Sequence, residues 1–227
     1  MAAPNLKIFY IVLIFVAAIG AGAIVYARGS GRSEVRTAAA LPAGADTVAP
    51  AGYVMGSASA PVEVEEFADF ECPACQQFAV LTLPDVRDRL VQTGQVRWRF
   101  RDFPLKQHTK TLFAHEAAAC AGEQGKFWEM HDQLYFNQNK WVEAGNSARV
   151  IRDLAKTAGI DMGKYDQCYE SHRYQGQIMA NFKLGDSRGV NSTPTLVIGN
   201  MLVPGSLTYD SVKALIQRAS AGKATKS

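Results

Sequence analysis

The stretch Val62-Glu63-Val64-Glu65-Glu66-Phe67 alternates with period two and then turns apolar, the pattern of a strand entering a core. Shortly after it comes Cys72-Pro73-Ala74-Cys75, and a helix-forming run follows at once. No other stretch restricts the fold as much, because a strand, a corner and a helix must meet with two cysteines at the corner. With Cys72 as the N-cap, Pro73 takes the first helical position, where its fixed φ fits and its missing N–H costs nothing. Ala74 and Cys75 then carry backbone N–H groups with no intrahelical partner. A thiolate at Cys72 would accept from them at the positive end of the helix dipole. The placement predicts a Cys72 pKa lowered from ~8.5 into the range of roughly 3.5–7.5. Cys75 lies one turn on and faces inward, within reach of a disulfide with Cys72. The spacing suits a redox pair, a structural disulfide or a soft-metal site, and C-x-x-C alone does not choose among them.

The rest of the chain sets the frame. It has 227 residues, of which the first fifty or so do not read as globular, and the remainder suits one domain with a sizeable core. A net charge of +3, with no basic run interleaved with aromatics, argues against a nucleic-acid partner. Residues 1–28 hold Ile8 to Tyr26, nineteen residues without a charge, long enough to span a membrane. This reads as a retained membrane anchor; a cleaved signal ending at Ala27 or Ala23 is the rival. The flanking charges do not orient it, and the even cysteine count places the domain outside the cytoplasm. Residues 29–52, rich in Ala, Gly, Pro, Ser and Thr, read as a flexible tether. The domain is expected over 53–221.

After the cysteines a helix is expected to about Gln92, kinked or restarted at Pro84. Val96 to Arg101 alternates apolar and basic as a second strand. From His108 to about Gly189 the pattern is almost wholly helical, with starts at His108, Phe127, Asn146-Ser147 and Asp161. Thr195 to Ile198 and Met201 to Val203 read as a hairpin about Gly199-Asn200, and Thr208 to Ala219 as a closing amphipathic helix. A strand–helix–strand unit and a hairpin with a helix, separated by a helical block, is an α/β, thioredoxin-like order.

Five motifs in that order, Gly56-Ser57-Ala58-Ser59-Ala60-Pro61-Val62, Glu66 to Cys75, Arg101-Asp102-Phe103-Pro104-Leu105, Gly125-Lys126-Phe127-Trp128 and Gly189 to Thr195, closely resemble the DsbA-like family of thiol:disulfide oxidoreductases. The resemblance covers about Tyr53 to Ala219. It implies a thioredoxin-like fold with an inserted all-helical subdomain, about 106–189. It also implies an exported location in the bacterial cell envelope, reduced exported proteins as substrates, and a membrane-bound re-oxidising partner. By the same resemblance Cys72 matches the attacking cysteine, Cys75 the resolving one, Pro194 a cis-proline and Thr193 the residue before it. Glu66 matches a buried acidic residue beneath the active site. The dipeptide Pro73-Ala74 lacks the His or Tyr that many relatives carry at its second place.

A disulfide reductase or isomerase on the same fold, and a thiol metal-handling module, remain the alternatives to a dithiol oxidase. Thr193-Pro194 facing the cysteines counts against the metal. No cofactor and no resident metal are implied, because cysteines carry the electrons themselves and the four histidines show no metal-ligand spacing. His108 reads as a surface residue at a helix start, and His115, His131 and His172 as packing or surface positions. With Cys72 and Cys75 set aside, Cys120 and Cys168 allow one further intrachain pairing, a structural disulfide between two helices of the insertion; two buried free thiols are the alternative.

Overall fold

A computed structural model describes residues 36–37 and 48–224 of the protein. The apolar stretch Ile8 to Tyr26 and most of the tether lie outside the described residues. Among the described residues no helix is long and apolar enough to cross a membrane.

The strands are β1 Arg36–Thr37, β2 Tyr53–Met55, β3 Val62–Ala68, β4 Val96–Asp102, β5 Thr195–Ile198 and β6 Met201–Pro204. They form one sheet in the order β1-β6-β5-β3-β4-β2. The motif strand β3 is interior, parallel to β4 from Val62↔Val96 to Ala68↔Asp102 and antiparallel to β5, with Phe67 opposite Thr195. A parallel neighbour needs a crossover. Here it is α1 Pro73–Leu81 and α2 Leu83–Val86, continued by a π-helical turn, Arg87–Val91. The predicted break near Pro84 falls at Thr82, and Pro84 sits in the first turn of the restarted helix, where a missing N–H is harmless. Gly94, at φ 76°, reverses the chain into β4.

Two strands escaped the sequence reading. β2 pairs with β4, Tyr53 opposite Phe100, and β1 pairs with β6, Arg36 opposite Leu202, inside what reads as tether. Three and two residues are too few to show a period.

The helical block comprises α3 Thr111–Gly122, α4 Phe127–Phe136, α5 Gln138–Val142, α6 Ser147–Thr157, α7 Met162–Glu170 and α8 Gln175–Ser187. Asn146 and Asp161 cap α6 and α7, their side chains accepting from the N–H of Arg149 and Lys164. The last of these helices, α8, packs back on the sheet, and α3 and α4 also reach it, where Phe127 stacks on Tyr53 and packs against Phe100. Leu184 of α8 joins Phe67, Phe103, Val190, Val197 and Leu202 in one buried cluster. At Gly185 an added Cβ would lie 2.7 Å from the Phe103 ring and 2.8 Å from that of Phe67. The sheet's opposite face packs Val64, Trp98 and Ile198 against Phe78, Leu83, Val86 and, from α9 Tyr209–Ala224, Val212 and Ile216. The insertion has its own core, which joins Phe70, Cys72 and Cys75 to Met130, Leu134, Trp141 and Ile151. Cys120 of α3 and Cys168 of α7 are joined by a disulfide within it, 48 positions apart. The Cys72–Cys75 corner therefore sits where the sheet meets the insertion.

Candidate active site

The chain leaves β3 at Ala68 and turns through Asp69, Phe70 and Glu71 into α1. Cys72 is the N-cap, at φ −75° and ψ 124°, with Pro73 at the first helical position. Its extended backbone aims the sulfur across the helix end toward Thr193, which cis-Pro194 follows. Cys72 is 7% exposed and Cys75 fully buried; both are free thiols. One detail departs from expectation: the Cys72 side chain makes no cap hydrogen bond and instead donates to the Thr193 carbonyl, at 3.3 Å. A neutral thiol is a weak acceptor and a usable donor, so the carbonyl claims it.

Deprotonation reverses that preference. The Cys75 thiol donates to the Cys72 sulfur, and this bond, ahead of the other groups, holds the Cys72 pKa down at about 6 against the opposing pull of burial. The Thr193 side chain and the backbone N–H groups of Cys75 and Ala74 act in the same direction. The Thr193 hydroxyl is buried and has no other hydrogen-bond partner, so it is free to serve an anion. Cys75 behaves oppositely. Burial, then the hydrogen bond and charge of Cys72, push its pKa well above the ordinary thiol value. The pair is thus split into one acidic, slightly exposed sulfur and one buried sulfur that keeps its proton.

Glu65 and Glu66 fall on opposite sides of β3. Glu65 is paired with Arg101 and Arg188, at 2.7 and 2.6 Å. Glu66 is fully buried; Trp98 Nε1 donates to one oxygen at 2.9 Å and the other has no partner. Burial raises its pKa to about 7, with the Trp98 bond pulling the other way.

Several residues of the corner were not legible beforehand. Asp69, fully buried, accepts four hydrogen bonds: from the N–H of Glu71 and Thr111 Oγ1 on one oxygen, and from the N–H of Leu105 and His108 Nδ1 on the other. His108 therefore serves the corner rather than the surface. Gln138 Nε2 donates to the carbonyls of Phe70 and Cys72, and the Tyr135 hydroxyl to that of Asp69. Of the remaining histidines, His115 and His131 are buried against Asp102 and Asp132, and His172 is exposed, paired with Glu116 at 2.8 Å. Among the described residues no three His, Cys, Asp or Glu side chains gather in a way that would hold a metal ion.

Residues 48–218 match a family model described as thioredoxin. The chain is 26% identical over 181 residues to disulfide bond formation protein D of Bacillus subtilis, covering 75% of this chain and 78% of that protein. It is 34% identical over 168 residues to the Na(+)/H(+) antiporter NhaA 3 of Salinispora tropica, covering 74% of this chain but 24% of the antiporter. The chain thus spans about a quarter of the length of the first curated relatives it matches. The crystal structure of oxidised BdbD from Bacillus subtilis superposes with a TM-score of 0.66 at 22% identity, over 78% of this chain and all of that one.

Proposed function

The chain belongs to the thioredoxin family, in its DsbA-like group of thiol:disulfide oxidoreductases, and from that premise we propose that it donates a Cys72–Cys75 disulfide to reduced exported proteins. A substrate thiolate attacks Cys72 Sγ of the oxidised pair. The Cys72–Cys75 bond breaks, its electron pair goes to Cys75, and Cys75 takes a proton. A second substrate thiolate then attacks the substrate sulfur of the mixed disulfide, and Cys72 leaves as a thiolate. The substrate gains a disulfide and loses two electrons, which the enzyme holds as its dithiol.

The observation that carries this reading is the split pair: a Cys72 pKa of about 6 beside a Cys75 pKa pushed well up. A stabilised Cys72 thiolate is a good leaving group and favours the reduced enzyme, which makes the oxidised enzyme a donor of disulfides. Glu66, poised to gain or lose a proton near neutrality, serves as proton relay for Cys75. Thr193 and Pro194 form the wall against which the substrate chain lies, and Pro73 and Ala74 give the corner its helical start. The reduced enzyme is returned to its disulfide by a membrane-bound oxidant. The domain works in the bacterial cell envelope, tethered to the inner membrane by residues 8–26 or released if they are cleaved.

The test is a pair of variants with a reduced, unfolded substrate protein. Cys72→Ser should abolish its oxidation, and Cys75→Ser should accumulate mixed disulfides through Cys72. The reduction potential against glutathione then separates the oxidase from a reductase: a value near or below that of thioredoxin, about −270 mV, would overturn the donor assignment.

A further inference from the structure

Three carbonyls of the redox corner are held from outside it, by two side chains at the joint of α4 and α5. Tyr135 Oη donates to Asp69 O at 3.3 Å, and Gln138 Nε2 donates to Phe70 O at 2.7 Å and to Cys72 O at 3.0 Å. Gln138 is only 2% exposed, so its bonds are made away from water. Its first neighbour across the joint is bound back as well, since Gln76 Nε2 of α1 donates to Tyr135 O at 3.0 Å. The Cys72 carbonyl also accepts the first helical hydrogen bond, from the N–H of Gln76 at 3.0 Å.

We propose that Gln138 is a positioning residue for disulfide exchange, holding the Cys72 thiolate at low energy through the Phe70 and Cys72 carbonyls. The inference rests on the reading of Cys72 as the attacked sulfur. Two effects follow from the geometry. A carbonyl oxygen carries negative partial charge, and the Cys72 oxygen belongs to the same residue as the thiolate. The Gln76 N–H occupies one lone pair of that oxygen, and the Gln138 amide takes the other, so a second donor further damps its repulsion of the buried anion. The same bond fixes the Cys72 backbone, and with it the aim of the sulfur at the N–H groups of Ala74 and Cys75 and at Thr193. A single amide bridging residues 70 and 72 constrains the turn between them, and through it the insertion sets the chemistry of the thioredoxin-like half.

The experiment titrates the Cys72 thiolate by ultraviolet absorbance in the reduced wild-type protein, in Gln138→Met and in Gln138→Asn. Methionine keeps the volume and has no donor; asparagine keeps the amide but is too short to span both carbonyls. Each variant is also equilibrated with glutathione. In Gln138→Met the Cys72 pKa should rise by about one unit from about 6, with thiolate occupancy at acid pH down roughly tenfold. Gln138→Asn should move it the same way by less. The dithiol–disulfide equilibrium at neutral pH should move about fivefold toward the disulfide. Variants of lowered melting temperature with an unmoved pKa would give Gln138 a merely structural role and overturn the proposal. If only Gln138→Asn folds, an unmoved pKa there overturns it too. Wild-type activity runs in parallel: its absence would sink the proposed function, whereas an active wild type with unmoved variants sinks only the role of Gln138.

Discussion

Replacing Glu66 by glutamine should flatten the dependence of stability on pH. The native group has a pKa of about 7, and an unfolded glutamate sits near 4.5. Below the lower value the carboxyl is protonated in both states. Between the two, the native state binds the proton and the unfolded state releases it, so stability is lost as pH rises and the loss is complete above 7. At 1.36 kcal/mol for each pKa unit the full loss is about 3 kcal/mol, of which about 2.5 falls between pH 5 and pH 8. Glutamine keeps an acceptor for Trp98 Nε1 and places an NH2 where the unpaired oxygen lies. That buried donor costs about 1–3 kcal/mol, equally at every pH. The Cys72 thiol also titrates in this range, with the opposite slope, and does so in both proteins. The quantity to measure is therefore a double difference: urea unfolding of the reduced wild type and of Glu66→Gln at the two pH values. The variant should gain about 2.5 kcal/mol on the wild type from the acid to the alkaline measurement. A gain below about 1 kcal/mol would mean that Glu66 is charged in the native state at its ordinary pKa, and burial would then not govern it.

Alkylation of the reduced protein should label Cys72 alone at pH 6, with a rate that reaches half its maximum near that pH, while Cys75 stays silent until well above 9; faster labelling of Cys75, read by peptide mass mapping, would reverse the roles. Removing the Cys120–Cys168 bridge as a Cys120→Ala, Cys168→Ala double variant should lower unfolding free energy by about 2–4 kcal/mol and leave the Cys72 pKa where it was. Gly185→Ala should cost about 1–3 kcal/mol in denaturant unfolding, because the methyl group meets two aromatic rings in a closely packed face; an unchanged midpoint would show that α8 shifts freely on the sheet.

The strand–corner–helix unit around Cys72 was legible because every signal in it is local. Period-two burial, a proline at the first helical turn and a thiol at the cap all act within a few residues, so Val62 to Cys75 states its own structure. The helical starts at Asn146 and Asp161 were legible for the same reason. The family motifs added an expectation about residues far apart, Thr193 and Pro194 against Cys72, and the folded chain brings the Thr193 carbonyl within a hydrogen bond of the Cys72 thiol. Choosing Glu66 over Glu65 for the interior took the sheet itself. Alternation says only that the two point opposite ways, and the buried side is decided by Trp98 on one face and by Arg101 and Arg188 on the other. Asp69, His108, Tyr135 and Gln138 carry no periodic or capping signal at all. They matter only because the insertion folds back on the corner, and hydrogen bonds spanning 39 to 68 positions leave no trace in local sequence. Local propensity thus determined the helix that begins at Cys72, whereas the groups that set the Cys72 thiol and the polar frame that aims it were decided by tertiary packing, which buried these groups and so required each of them to find a partner.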